Sequence, residues 1–248
     1  MYSSVSGQLA VFKQLDVIAN NLANLTTTGF KAEKVLFEQA LNKHTMSASA
    51  SLDKDVAPPD NFRGEEFVKI RGSRSDFTQG PTEITGNNLD VAIQGEGFFV
   101  VQTPQGERYT RAGNFKLDAS NKLVTQTGYP VLGQGGEITI QGANVSVSDN
   151  GAIIADKQLV GNLRVVKLDG LQTRREASQL FQLREGATPE EVTTISVKGG
   201  ALEGSNVNAV RELTDMILAS RLFESFQKSQ DAGGRMAQAR NQYLGTQG

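Results

Sequence analysis

The residues of this chain that could carry chemistry are few, and none has its partners at the right spacing. Gly95-Glu96-Gly97, followed by Phe98-Phe99, offers two glycines of a dinucleotide-binding turn but no third, and no helix signal follows. It reads as a tight turn before a buried strand. Gly133-Gln134-Gly135-Gly136 lacks the Lys-Ser/Thr pair with which a phosphate loop grips its anion. Asp90, Glu96 and Asp118 could form a carboxylate pair for acid–base work. With 27 acidic residues among 248, however, such groupings arise by coincidence, and solvated turn carboxylates are the simpler account. His44, the single histidine, stands beside Lys43 at the edge of a polar stretch and reads as a surface residue, since a general base needs a fixed partner. Arg71 and Arg74 around Gly72-Ser73 make a basic spot too small for a nucleic-acid groove. Asn24-Leu25-Thr26 matches a glycosylation triplet, but it lies at a helix end in a chain without secretory features.

With no cysteine and one imidazole, a thiol nucleophile, a disulfide framework and a thiolate or His-rich metal site all fall. The balance of 25 basic against 27 acidic residues gives no global pull toward nucleic acid. No catalytic, cofactor-binding or metal-binding residue is assigned. The 26 Gly, 19 Gln and 15 Asn instead favour turn-rich β structure and protein contact surfaces over a reactive cleft. At about 150 residues per domain the length allows one or two units.

The elements that would position any site begin with a helix over the first 25 residues. Met1, Val5, Phe12, Leu15, Ala19 and Leu22 recur at steps of three and four once Gln8 is allowed, and Leu9, Val11, Val17 and Ile18 widen the stripe. Thr26-Thr27-Thr28-Gly29 ends it. At about 1.5 Å per residue such a helix spans roughly 33 Å. A second helix is expected from Val207 to Tyr243, carrying Val210, Leu213, Ile217, Leu222, Phe223, Phe226, Met236 and Tyr243. Its register slips near Leu218–Leu222, so it is not a clean heptad. Ser205 or Asn206 is the expected cap, Glu224/Lys228 and Asp231/Arg235 are i,i+4 pairs, and Gly233-Gly234 marks a kink or a close approach. Neither helix can bury its stripe alone. The stripes could close an ordinary core, form a coiled coil between subunits, or lie on a membrane, though the mixed charge disfavours the last.

Between the helices, residues 40–66 read as a polar arm containing Pro58-Pro59. Short extended runs follow at 67–71, 89–94, 97–102, 107–111, 115–118, 122–125, 129–132, 137–140, 144–148, 152–154 and 159–168, with a further strand pair at 179–184 and 192–198. The expected fold class is therefore a mainly β central domain with long N- and C-terminal α-helices. Its divisions are a helix and turn (1–39), an arm (40–84), a β domain (85–170), a β return segment (171–204) and a C-terminal helix (205–248). No ordinary signal peptide begins the chain, because Lys13 interrupts the first apolar stretch, and no run approaches a membrane span. The protein is expected to be cytoplasmic, or exported without a cleaved leader.

Three stretches together resemble the bacterial flagellar rod and hook proteins: LDVIANNLANLTTTGFK at 15–31, TGNNLDVAIQGEGFF at 85–99 continuing into YTRAGNFKLDASNKLVTQTGYPVLG at 109–133, and LEGSNVNAVRELTDMILASRLFE at 202–224. They stand in the family's order and, with the sequence between them, cover most of the chain. Asn20, Asn21, Leu22, Ala23, Asn24, Thr28, Gly29 and Phe30 match the first motif. Ser205, Asn206, Val207 and Asn208, then Glu212, Met216, Ile217, Arg221 and Glu224, match the last. The length and single β region look most like a proximal-rod member, with a distal-rod member the nearest competitor and a hook-type subunit after it.

The resemblance implies a structural subunit of the basal-body rod, spanning the periplasm, whose terminal helices pair as a coiled coil in the assembly and transmit torque. It implies as partners further copies of the chain, homologous axial proteins and the flagellar export apparatus, with no nucleic acid and no direct membrane insertion. It implies neither a cofactor nor an enzymatic reaction. A surface β-domain binding protein is the remaining alternative. The assembly residues expected on these grounds are Val5, Phe12, Leu15, Ala19, Asn20, Asn21, Leu22, Asn24, Gly29, Phe30, Asn206, Val207, Asn208, Leu213, Ile217, Arg221, Glu224 and Phe226. Gly29 would end the helix, Phe30 would anchor the returning chain, and the Asn cluster would bond across subunits.

Overall fold

The computed structural model describes residues 2–41, 66–177, 179–192 and 194–245. It is mainly β, with a helix α1 at Tyr2–Ala23 and a helix α2 at Ala209–Gly245. Its contacts divide into two compact units: residues 1–19, 34–73 and 210–248 form one, and residues 20–33 with 74–209 form the other. Much of the expected arm, including His44, lies outside the described residues.

In the first unit α1 and α2 run antiparallel, because Phe12 meets Phe223 with ring centroids 6.5 Å apart while Gly7 sits under Phe226. A Cβ on Gly7 would come within 2.9 Å of the Phe226 ring, so glycine sets how closely the helices approach. The least exposed row of α2 is Glu212, Met216, Ala219, Phe223, Phe226, Gln230 and Gly233, a regular alternation of four and three. The expected slip at Leu218–Leu222 is therefore corrected. The seam is regular but includes Glu, Gln and Gly, which apolar periodicity does not count. Around Gly233-Gly234 the helix continues, and a Cβ at either position would have no described neighbour within 4 Å. Among the described residues the i,i+4 ion pair of α2 is Arg211–Asp215 at 4.0 Å, and neither Glu224–Lys228 nor Asp231–Arg235 forms. Exposed pairs of this kind contribute little in any case. On α1 the buried apolar residues are Ala10, Val11, Val17 and Ile18, beside rather than on the stripe through Phe12, Leu15 and Ala19.

This unit also holds most of the two-stranded sheet of Glu33–Leu41 with Glu66–Ser75. The first of these strands stands where only a helix and turn were expected. Its EKVLFEQAL composition is rich in helix formers, and pairing with a distant strand overrides that preference.

In the second unit a six-stranded antiparallel sheet runs in the order Thr173–Arg175, Phe181–Leu183, Gly106–Thr110, Phe98–Thr103, Val165–Lys167, Glu190–Glu191. Successive side chains of a strand point to opposite faces, and here both faces are covered. Phe99, Val101 and Val165 enter the larger core with Val91, Ile93, Phe115, Ile153 and Leu163, while Phe98, Val100 and Val166 pack with Tyr109 and Phe181. That explains the unbroken apolar run FFVV. Phe77, Phe98 and Phe181 form an edge-on aromatic trio with centroids 4.7–5.4 Å apart.

The strands at 179–184 and 192–198 do not pair with each other. Phe181–Leu183 pairs with Thr173–Arg175 and with Tyr109, whereas Val197–Gly199 pairs with Val91–Ile93. The run 159–168 is two strands, Gln158–Asn162 and Val165–Lys167. Two short strands that the sequence did not announce, Thr82–Ile84 and Ala201–Glu203, pair with each other. This last pair brings the start of the β unit beside the lead into α2.

Candidate functional site

Two features recruit the family-like motifs: a buried ionic junction in the β unit, and the outward faces of the helices.

The junction is centred on Glu203, at the end of its short strand. Period-two alternation turns Ala201 and Glu203 to the same buried side, and the Glu203 side chain is fully covered. Its Oε1 accepts from Lys31 Nζ at 2.7 Å and from the Gly80 N–H at 2.9 Å, and its Oε2 accepts from Arg111 Nε at 2.5 Å. The Arg111 guanidinium also donates to the carbonyls of Ile93 (3.0 Å), Gly95 (2.5 Å) and Gly97. Lys31 Nζ has a second acceptor in the Thr78 carbonyl at 2.7 Å. Burial pushes the Lys31 ammonium below its ordinary pKa, outweighing the attraction of Glu203, and the nearby Arg111 charge pushes the same way.

The turn after α1 is laced to the same place. Gly29 has φ +66° and donates its N–H to the Glu203 carbonyl at 2.7 Å. A Cβ there would lie 2.4 Å from the Ala112 nitrogen and the Arg111 carbonyl carbon, so both conformation and space require glycine. Phe30 is fully buried under the Arg175 guanidinium, whose central carbon is 4.3 Å from the ring centroid. Arg175 also donates to the Lys31 carbonyl and stands 3.7 Å from Glu33. Asn21, 1% exposed, exchanges two 2.9 Å bonds with the Glu33 backbone. Asn206 is not the helix cap, since α2 starts at Ala209 directly after Asn208. Its carbonyl oxygen accepts from the Ala32 N–H at 2.6 Å, and its amide donates to the carbonyls of Asp76 (2.8 Å) and Thr78 (2.9 Å). The Ser205 hydroxyl accepts from the Val207 N–H at 3.3 Å.

The expected assembly residues therefore divide. Asn21, Gly29 and Phe30 are buried, and Asn206 is engaged within its own chain. Asn24 donates to the Asn20 carbonyl and accepts from Thr27. Leu15, Leu22 and Val207 are half-buried, as is Phe226 over Gly7. Phe12, Ala19, Asn20, Asn208, Leu213, Ile217, Arg221 and Glu224 are exposed, while Val5 lies on α1 with its side chain outside the described residues. The second row of α2, Val210, Leu213, Ile217, Leu218 and Leu222, ranges from 47% exposed at Leu222 to 76% at Val210. Among the described residues Leu9 and Phe12 are the exposed large apolar residues of α1.

The three carboxylates Asp90, Glu96 and Asp118 each have partners in structure. Asp90 accepts from Thr85 and Asn87, Asp118 from the N–H groups of Ser120 and Lys122, and Glu96 pairs with Lys167. A cavity of about 710 Å³ opens beside Phe77 and Phe98 with Arg111 in its wall, but that guanidinium is bonded to Glu203 and to backbone carbonyls. Lys31, Arg111 and Glu203 were not singled out from sequence. The available signal was charge at inward positions: Lys31 between Phe30 and Ala32, and Glu203 in step with Ala201.

Three family models match these regions. They are described as flagella basal body rod protein (residues 1–31), flagellar hook protein FlgE/F/G D1 domain (92–155) and flagellar basal body rod FlgEFG protein C-terminal (198–242). Over nearly the whole length, the chain is 36% identical to the flagellar basal-body rod protein FlgF of Caulobacter vibrioides, covering 99% of this chain and 97% of the relative. It is 34% identical to the rod protein FlgG of Bacillus subtilis, with 92% of each covered. It is 32% identical to FlgF of Salmonella typhimurium, with 90% and 89% covered. The junction residues Lys31 and Glu203 fall inside the first and last matched regions. The chain belongs to the flagellar basal-body rod protein family.

Proposed function

We propose that this protein is a structural subunit of the flagellar basal-body rod, most like the proximal-rod members, and that it polymerises through the outward faces of α1 and α2. The observation that carries the reading is the second apolar row of α2. One row is turned to α1, whereas Val210, Leu213, Ile217, Leu218 and Leu222 remain about half or more exposed among the described residues. Neighbouring subunits, whether copies or homologous axial proteins, would bury this row in a coiled-coil tube. Each aliphatic side chain fully buried there would contribute about 1.5–3 kcal/mol. Repeated heterologous contacts of this kind build a helical shaft, which transmits torque by stiffness and needs no catalytic group. As a rod subunit it would be delivered through the flagellar export apparatus. Among the described residues no helix is long and apolar enough to cross a membrane.

Deleting residues 2–23 tests the reading in cells lacking the native gene. Motility and recovery of rod-containing basal bodies are expected to be lost. Normal swimming with the truncated chain would show that α1 is dispensable and overturn the assembly mode.

A further inference from the structure

Glu203 is held by stretches of chain far apart in sequence. Lys31 lies 172 residues away, Gly80 123 and Arg111 92, and all converge on one buried carboxylate. Around it the backbone of the α1 exit is bonded to the α2 lead. Gly29 donates to the Glu203 carbonyl, Asn206 N–H donates to the Phe30 carbonyl at 3.3 Å, and Ala32 N–H donates to the Asn206 side chain.

We propose that this carboxylate is a latch that closes the α1 exit and the α2 lead onto the β unit in one step. The turn at 24–33 and the lead at 201–208 are then ordered together or not at all. The argument is one of charge. Lys31 and Arg111 are both buried, and within the junction Glu203 is the anion that touches them. Before residues 201–203 arrive, burying Phe30 would carry Lys31 into a site facing Arg111 without that anion. Asp76, which also attracts Lys31, contributes less. Conversely, without the turn the strand Ala201–Glu203 keeps Arg111 against its carboxylate but loses Lys31, and Asn206 loses both the Phe30 carbonyl and the Ala32 N–H. Each end thus supplies what the other needs. This holds for the free monomer and does not depend on how subunits assemble.

Hydrogen exchange followed by mass spectrometry on the dilute full-length chain tests the latch. Under low denaturant, peptides over 24–33, 79–84, 108–112 and 200–208 are expected to open with one common denaturant dependence, distinct from the three-stranded antiparallel sheet of Val145–Val147, Ala152–Ala155 and Gln158–Asn162. In Glu203→Gln all four should open about a hundred- to several-thousandfold more often, whereas Lys31→Met should stay within about tenfold of the parent. Opening of 24–33 while 200–208 remains protected, in either the parent or a variant, would overturn the proposal. If Glu203→Gln does not fold, the parent's exchange pattern alone decides.

Discussion

Glu203→Gln is expected to destabilise the monomer by about 3–5 kcal/mol, while Lys31→Met costs about 1 kcal/mol or less. The asymmetry follows from a site with two cations and one anion. Removing the anion leaves two buried positive charges facing an amide that can relieve at most one of them. Removing Lys31 leaves a matched Arg111–Glu203 pair. The groups it abandons keep partners, because Glu203 Oε1 retains the Gly80 N–H and the Thr78 carbonyl retains the Asn206 amide. Methionine fills a similar volume without a charge to desolvate. Urea denaturation followed by far-ultraviolet circular dichroism would read both midpoints, and equal losses would refute the charge accounting.

The same pair of proteins carries a pH signature. The folded-state pKa of Lys31 is depressed, so between that value and the ordinary lysine value of 10.5 the unfolded chain binds more protons. Stability from this group therefore rises with pH across that window and is lost as pH falls through the depressed pKa. The parent should gain on Lys31→Met as pH is raised, with no change in their difference well below the window.

The second large effect is on assembly rather than folding. The double variant Leu213→Glu, Ile217→Glu alters residues 51% and 55% exposed, at positions where glutamate is a good helix former. The monomer should keep its melting midpoint, since surface substitutions of this kind usually fall within about 0.5 kcal/mol. Losing two buried aliphatic side chains at about 1.5–3 kcal/mol each weakens a subunit contact by roughly a hundred- to ten-thousandfold. Burying the new carboxylates would weaken it further. Cells carrying the variant should express a folded protein yet fail to swim in soft agar. Full motility would show that this row of α2 stays open to solvent in the rod.

What was legible in the sequence follows the range of the interactions involved. Both helices show in their three-and-four spacing, and most strands of the β unit in short apolar runs between turns. Glu33–Leu41 was hidden because its composition suits a helix and its pairing partner begins 33 residues later at Glu66. The α1 stripe through Phe12 and Leu15 was read correctly as apolar. Sequence does not say which of two adjoining apolar rows packs inside the chain, and the buried row is Ala10, Val11, Val17 and Ile18. The α2 seam includes Glu212, Gln230 and Gly233, which carry no hydrophobic signal. The junction was the least visible feature. Its three charged residues stand singly, and only the topology that pairs Ala201–Glu203 with Thr82–Ile84 brings them together. Gly29, Phe30 and Asn206 were found through the family-like motifs, but the structure engages them within their own chain.

The chain has no cysteine, so single substitutions Leu213→Cys and Ile217→Cys would introduce unique thiols on the exposed row of α2. Maleimide labelling of each variant should be compared in the dilute monomer, in purified basal bodies, and in basal bodies dissociated by denaturant. Rapid reaction in the monomer and after dissociation, with strong protection in the intact basal body, is the predicted result. Thiols as reactive in the intact basal body as in the monomer would contradict assembly through this face.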